Sequence, residues 1–313
     1  MRVFSDCMAC MMQQIQNGLR LLKPNILEYE IVRAQQKLMK IISEQDLSKI
    51  NNVILGAKTY EIISEVLETK DPYKNLKKKY NDKALELYSN LKNSIDKFYT
   101  QNIQNLNSSE LEEILNLVLK ASIIGNSIDF GTNLNINIEQ EIEKLINTKL
   151  ISNVEIKEFI NDINKSNKIL IVGDNAGEIV FDKLFIEKLK KIFPHKEIIY
   201  SVRAGPIIND ATLEDAEYIN LTKTCRVVES SVSPGIILEW SSKDFIEIFN
   251  SSNFIISKGQ GNFESIIDID TTNKNVYFLL KIKCILIQKI FKMPIGSIVL
   301  MKKNKELIDR VEK

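Results

Sequence analysis

Ile169-Leu170-Ile171-Val172-Gly173-Asp174-Asn175-Ala176-Gly177-Glu178 decides the fold. A short apolar run meets a Gly-flanked polar turn, and Phe181, Leu184, Phe185, Leu189 and Ile192 then recur at the i, i+3, i+4 spacing of a helix laying one stripe on a sheet. A parallel strand that ends this way delivers its next side chains, Asp174 and Asn175, into the crevice where open α/β sheets bind ligands. Two hard oxygen donors side by side suit an octahedral divalent cation such as Mg²⁺ or Mn²⁺.

Working outward, the same alternation continues to the end of the chain. Ile169–Val172, Ile198–Val202, Arg226–Val228, Phe254–Ser257, Val276–Leu280 and Ile298–Met301 are short strand-like runs separated by helical ones, the signature of βαβ units around a mostly parallel sheet. Before Asn164 the period is different. Leu111, Ile114, Leu115, Val118 and Leu119 illustrate the helical spacing that prevails from Cys7 onward, and Lys23-Pro24-Asn25, Asp71-Pro72 and Asn107-Ser108-Ser109-Glu110 punctuate it. The sequence therefore predicts six or seven helices in a helical N-terminal domain and cap over residues 1–164. A Rossmann-like α/β/α sandwich, with a mostly parallel sheet and the metal-binding residues, is expected over 165–313.

Composition excludes several functions. The 313 residues carry 42 basic and 41 acidic side chains, a net charge of +1, so no overall field draws the chain to nucleic acid or to an anionic membrane. No run reaches the ~20 apolar residues of a membrane span, and the four cysteines are too few and too unevenly spaced for a disulfide scaffold. A soluble cytoplasmic protein with reduced thiols is expected, and the oligomeric state is left open.

The polar residues collect at the strand ends. After the first strand come Asp174, Asn175 and Glu178; after the second, Arg203-Ala204-Gly205-Pro206 and then Asn209-Asp210; after the fourth, Lys258-Gly259-Gln260-Gly261-Asn262-Phe263-Glu264; after the fifth, Lys281-Ile282-Lys283-Cys284. In a parallel sheet these ends share one edge. The inventory suits phosphoryl chemistry, with Asp174, Asn175 and Asp210 as metal ligands and Lys283, Arg203 and Lys258 as charge clamps. Attack by a water and attack by Asp174 itself are both compatible with it. Each residue alone has a plainer reading: Asp174 and Asp210 as helix caps, Gly-Gln-Gly-Asn as a tight turn, the lysines as solvated strand ends. Their joint placement is what argues for a site.

These motifs, with Phe181-Asp182 and Val202-Arg203-Ala204-Gly205-Pro206-Ile207-Ile208-Asn209-Asp210-Ala211-Thr212, resemble those of the damage-control phosphatases, metal-dependent phosphatases of small metabolites formerly grouped as a domain of unknown function. Ala121–Phe130 and Leu280–Cys284 share the resemblance, which runs to Leu300. It implies a helical N-terminal domain on a Rossmann-like domain, a divalent metal (Mn, Mg, Co or Ni) held by Asp174, Asn175 and Asp210, and Lys283 on phosphate. It also brings Asn126 and Asp129 toward the pocket from the helical side, residues the bottom-up reading leaves unassigned. Glu178, Arg203, Asn209, Lys258, Asn262 and Glu264 complete the expected substrate-binding set. The substrate class is a phosphorylated small molecule, a sugar phosphate or related ester.

The opening Asp6-Cys7-Met8-Ala9-Cys10 resembles a microbial branch with an N-terminal cysteine pair. Cys7 and Cys10, at i and i+3, are candidates for a second metal or redox role, against simple packing of buried thiols. His195 and Trp240 read as structural or rim residues. Two alternatives are carried: a methyltransferase acting on carboxylates, weakened by the lack of a Gly-rich dinucleotide turn, and a non-enzymatic metal-binding protein using the cysteines.

Overall fold

The computed structural model describes residues 1–98, 106–124 and 147–312. The expected helices come first: α1 (Ser5–Leu22), α2 (Glu28–Ser43), α3 (Asn52–Val66), α4 (Lys74–Phe98) and α5 (Ser108–Ile124) precede the sheet, and α6 (Ile156–Lys165) follows its first, short strand. Their starts and stops follow the local chemistry. On α1 the buried stripe is Cys7, Met11, Ile15 and Leu19, one residue per turn, and the helix ends before Pro24. At the start of α5, Asn107 Oδ1 accepts from the Glu110 N–H at 3.0 Å while Glu110 Oε2 accepts from the Asn107 N–H at 2.9 Å, a reciprocal cap.

The strands are β1 (Leu150–Ser152), β2 (Lys168–Val172), β3 (Glu197–Val202), β4 (Arg226–Glu229), β5 (Phe254–Lys258), β6 (Asn275–Lys281) and β7 (Ile298–Lys302). They form a seven-stranded sheet in the order β1-β7-β6-β5-β2-β3-β4. Every pairing is parallel except β6 with β7. Strand β1 lies ahead of the change of period at Asn164 and pairs with β7, Leu150 opposite Ile298. Its three residues are too few to show a period of two, so the sequence pattern does not reveal it.

The pleat of β2 sends alternate side chains to opposite cores. Ile169 and Ile171 join the cluster built with α4, α5, α6 and α7 (Glu178–Ile192). Leu170 and Val172 join the cluster under α1–α3, α9 (Lys243–Ser251), α10 (Gln260–Ile266) and α11 (Ile285–Phe291); the short helix between these groups, Leu213–Tyr218, is α8, and Lys305–Glu312 is α12. Helices thus cover both faces, as buried parallel strands require. No described helix is long and apolar enough to cross a membrane.

The strand order also fixes where a ligand sits. From β2 the chain moves outward through β3 to β4, then returns to the other side of β2 as β5 and continues to β6. Connections therefore diverge between β2 and β5, and the crevice opens beyond their C-terminal ends. Gly173-Asp174 and Lys258-Gly259 occupy those ends.

Candidate active site

Backbone bonds stitch the loops after β2 and β3 together. The Gly173 N–H donates to the Ser201 carbonyl (3.0 Å), the Ala211 N–H to the Asp174 carbonyl (2.8 Å) and the Ala176 N–H to the Asn209 carbonyl (2.9 Å), while Asn175 and Asp210 form an antiparallel bridge. Asp174, Asn175 and Asp210 are thereby brought to one place. They line a cavity of about 350 Å³ with Asn209, Lys283, Gln260 and Glu264, and its opposite wall is made by Asp6, Cys7, Cys10 and Gln14 of α1 and by Asn52, Val53 and Gly56 of α3.

Each acid is held by a neighbour. Asn175 Nδ2 donates to Asp174 Oδ2 at 2.7 Å. Arg203, almost fully buried, donates from Nε to Asp210 Oδ2 at 2.7 Å and from a terminal nitrogen to the Pro234 carbonyl at 3.2 Å. It orients Asp210 from behind and is not part of the cavity lining, which departs from the expectation of a phosphate clamp.

Gly259 has φ +76° and ψ +166°, a region essentially reserved for glycine, and a Cβ there would overlap the Asp174 carboxylate. Gly259→Ala is therefore expected to cost about 1–3 kcal/mol in backbone strain and, by displacing Asp174, to depress turnover more than stability. Thermal unfolding beside steady-state kinetics checks this, and wild-type kcat in the variant would contradict it.

The electrostatics leave the acids short of positive charge. Burial first, then the proximity of Asp210 and Glu178, pushes the Asp174 carboxyl up to about 8, against the pull of Lys283 and Arg203. Burial raises Asp210 as well, with Arg203 opposing it. Two buried carboxylates beside an amide form an oxygen donor set that fits a hard divalent cation, which takes its remaining ligands from water and substrate. Among the described residues no group of three or more His, Cys, Asp or Glu is placed to hold a metal. This set has only two such members, its third donor being Asn175.

Other expected residues lie elsewhere. Lys258 is fully buried, within 2.5 Å of both Glu178 Oε1 and Asp182 Oδ1, and donates to the Ser122 carbonyl at 2.9 Å. Tyr200 donates to the second Asp182 oxygen at 2.7 Å. Lys258 and Glu178 thus neutralise each other beneath the cavity and do not line it: a buried charge persists only when paired, and two inward-facing acids of α7 supply the partners for this strand-end lysine. Asn262 is also below the floor, its Nδ2 bonded to the carbonyls of Gly173 and Lys258 at 2.8 Å each, tying the ends of β2 and β5 together. Asn126 and Asp129 fall outside the described residues.

Cys7 and Cys10 do reach the cavity, where Cys284 joins them. Burial pushes the Cys7 thiol up to about 11, which disfavours the thiolate needed for metal or redox chemistry. His195 is exposed in the turn before β3, and Trp240 is exposed on the surface.

Sequence reasoning missed Asn52, Gln260 and the part played by Asn81. Gln260 Oε1 accepts from the Lys283 N–H at 2.5 Å. Asn81, buried on α4, accepts from the Gly177 N–H at 2.7 Å and donates to Asp215 at 2.9 Å. Asn51 caps the start of α3, accepting from the Val53 N–H at 3.1 Å. Nothing in the spacing of these residues marks them.

Comparison with known proteins identifies the family. Residues 3–299 match the model of the damage-control phosphatase ARMT1-like domain. The chain is 34% identical over 310 residues to protein MJ0202 of Methanocaldococcus jannaschii, covering 96% of each. It is 30% identical to the damage-control phosphatase PH1575 of Pyrococcus horikoshii, covering 98% of this chain and all of that one. The crystal structure of that DUF89-family protein superposes with a TM-score of 0.80 over 97% of this chain. These likenesses favour neither methyl transfer nor a purely metal-binding role. From its first helix to its last strand, this chain belongs to the ARMT1-like damage-control phosphatase domain family.

Proposed function

We propose that this protein is a metal-dependent phosphatase that hydrolyses phosphate monoesters of small metabolites, in the manner of metabolite damage control. The observation that carries the reading is the meeting of Asp174, Asn175, Asp210 and Lys283 in one cavity at the switch point. Asp174, Asn175 and Asp210 would hold the cation, which when bound supplies positive charge against the phosphoryl oxygens and lowers the pKa of the attacking water.

The chain's own groups do the rest. Lys283, exposed on the wall, offers an ammonium to the phosphate, and its backbone bond to Gln260 sets the loop that carries it. Arg203 keeps Asp210 turned inward. The cavity of about 350 Å³ suits a small ester better than a protein surface.

Release of phosphate from p-nitrophenyl phosphate is expected with at least one of Mn²⁺, Mg²⁺, Co²⁺ and Ni²⁺. Chelator should abolish it and fresh cation restore it. Inactivity with all four, or turnover indifferent to chelator, would overturn the reading.

A further inference from the structure

Resting on the phosphatase reading, we propose that Glu264 and Asn52 form an acceptor pair that selects the non-phosphate part of the substrate. The pair takes a hydroxyl or ammonium donor and rejects a second anionic group.

The charge pattern of the cavity supplies the first argument. Its titratable carboxylates are Asp6, Asp174, Asp210 and Glu264, and Lys283 is the one cationic side chain among the described lining residues. Asp174, Asp210 and Lys283 belong to the phosphate end, and Asp6 has Lys289 within 3.4 Å. Among the described residues no side-chain cation is paired with Glu264. Its Oε2 accepts from Asn52 Nδ2 at 2.6 Å; burial raises this carboxyl, opposed first by that hydrogen bond and then by the Met1 amine, itself ion-paired with Asp268.

The second argument is independent of charge. Asn52 gives its NH₂ to Glu264, and its Oδ1 is buried without a hydrogen-bond partner. A buried acceptor left unmatched is costly, so a ligand bringing a donor gains twice: it satisfies Asn52 Oδ1 and faces a carboxylate that also accepts. A ligand bringing a carboxylate or second phosphate meets two acceptors and no donor. Discrimination of this kind comes from groups that the wrong ligand leaves unpaired. The class selected is a phosphate monoester with a hydroxyl- or amine-bearing, non-anionic remainder.

Glycerol 3-phosphate and 3-phosphoglycerate test this, being of one chain length and differing at the far carbon as hydroxymethyl against carboxylate. Each is measured as a competitive inhibitor of p-nitrophenyl phosphate hydrolysis by the cation-loaded full chain. Glycerol 3-phosphate is expected to bind on the order of tenfold more tightly. Glu264→Gln, close to isosteric and able to keep the Asn52 contact, should narrow the ratio to within about threefold by improving 3-phosphoglycerate, whereas Glu264→Asp, which keeps the charge, should retain discrimination. Equal inhibition of the wild type, no measurable inhibition by glycerol 3-phosphate, or an unchanged ratio in Glu264→Gln would overturn the proposal while p-nitrophenyl phosphate turnover leaves the phosphatase reading standing. Absence of that turnover would remove both.

Discussion

Asp174→Asn is expected to lower kcat by at least about a hundredfold while leaving the fold intact, the scale on which loss of one preorganised charge contact acts. Asparagine preserves the shape against Gly259 but removes the charge a cation needs. The stability effect should run the other way. Because the folded carboxyl is raised to about 8 from 3.8, the folded state binds more protons than the unfolded chain between those values, and its stability falls as pH rises through that window. Without divalent cation, the wild type should therefore lose melting temperature between pH 4 and pH 8 more steeply than Asp174→Asn. Saturating cation should flatten the wild-type slope, since binding to the folded state opposes the loss. A variant with wild-type turnover, or one less stable than the wild type at pH 8 without cation, would contradict this account of the acid pair.

Lys258→Met carries the largest expected cost in stability. The substitution leaves Glu178 and Asp182, 1% and 0% exposed, without their shared cation. Removing one partner of a buried pair costs about 3–5 kcal/mol, here a fall on the order of 10 °C in melting temperature. Asp182 already sits at about 6, raised by burial and held down chiefly by Lys258. Without the lysine it should rise further, so the deficit should be smaller at pH 5, where Asp182 can protonate, than at pH 8. Thermal melts across that range would settle the sign. A uniform small loss would mean that Lys258 contributes little to the buried network.

The contrast between Lys258 and Lys283 shows what the sequence carries and where it stops. Both follow a strand, and both read as charge clamps on that ground. Which one is swallowed depends on Glu178 and Asp182, a turn apart on α7 and pointing down onto β5, a relation among distant segments that no local spacing records. The strands themselves were legible because buried parallel strands are nearly continuous apolar runs, and Asp174, Asn175 and Asp210 were legible because polar residues at such ends are conspicuous. Strand β1 was too short to declare itself. Asn52 was hidden behind Asn51, whose capping role explains the local sequence fully, and only the approach of α3 to α10 gives Asn52 a second purpose.

The cavity's two walls come from different stretches of chain, strand tips on one side and α1 with α3 on the other. The groups read as holding cation and phosphate all sit on the strand-tip side, whereas the Asn52–Glu264 contact spans the two walls. Changes in α1 and α3 can therefore retune what the cavity admits while Asp174, Asn175 and Asp210, stitched together by backbone bonds between the loops after β2 and β3, keep their places.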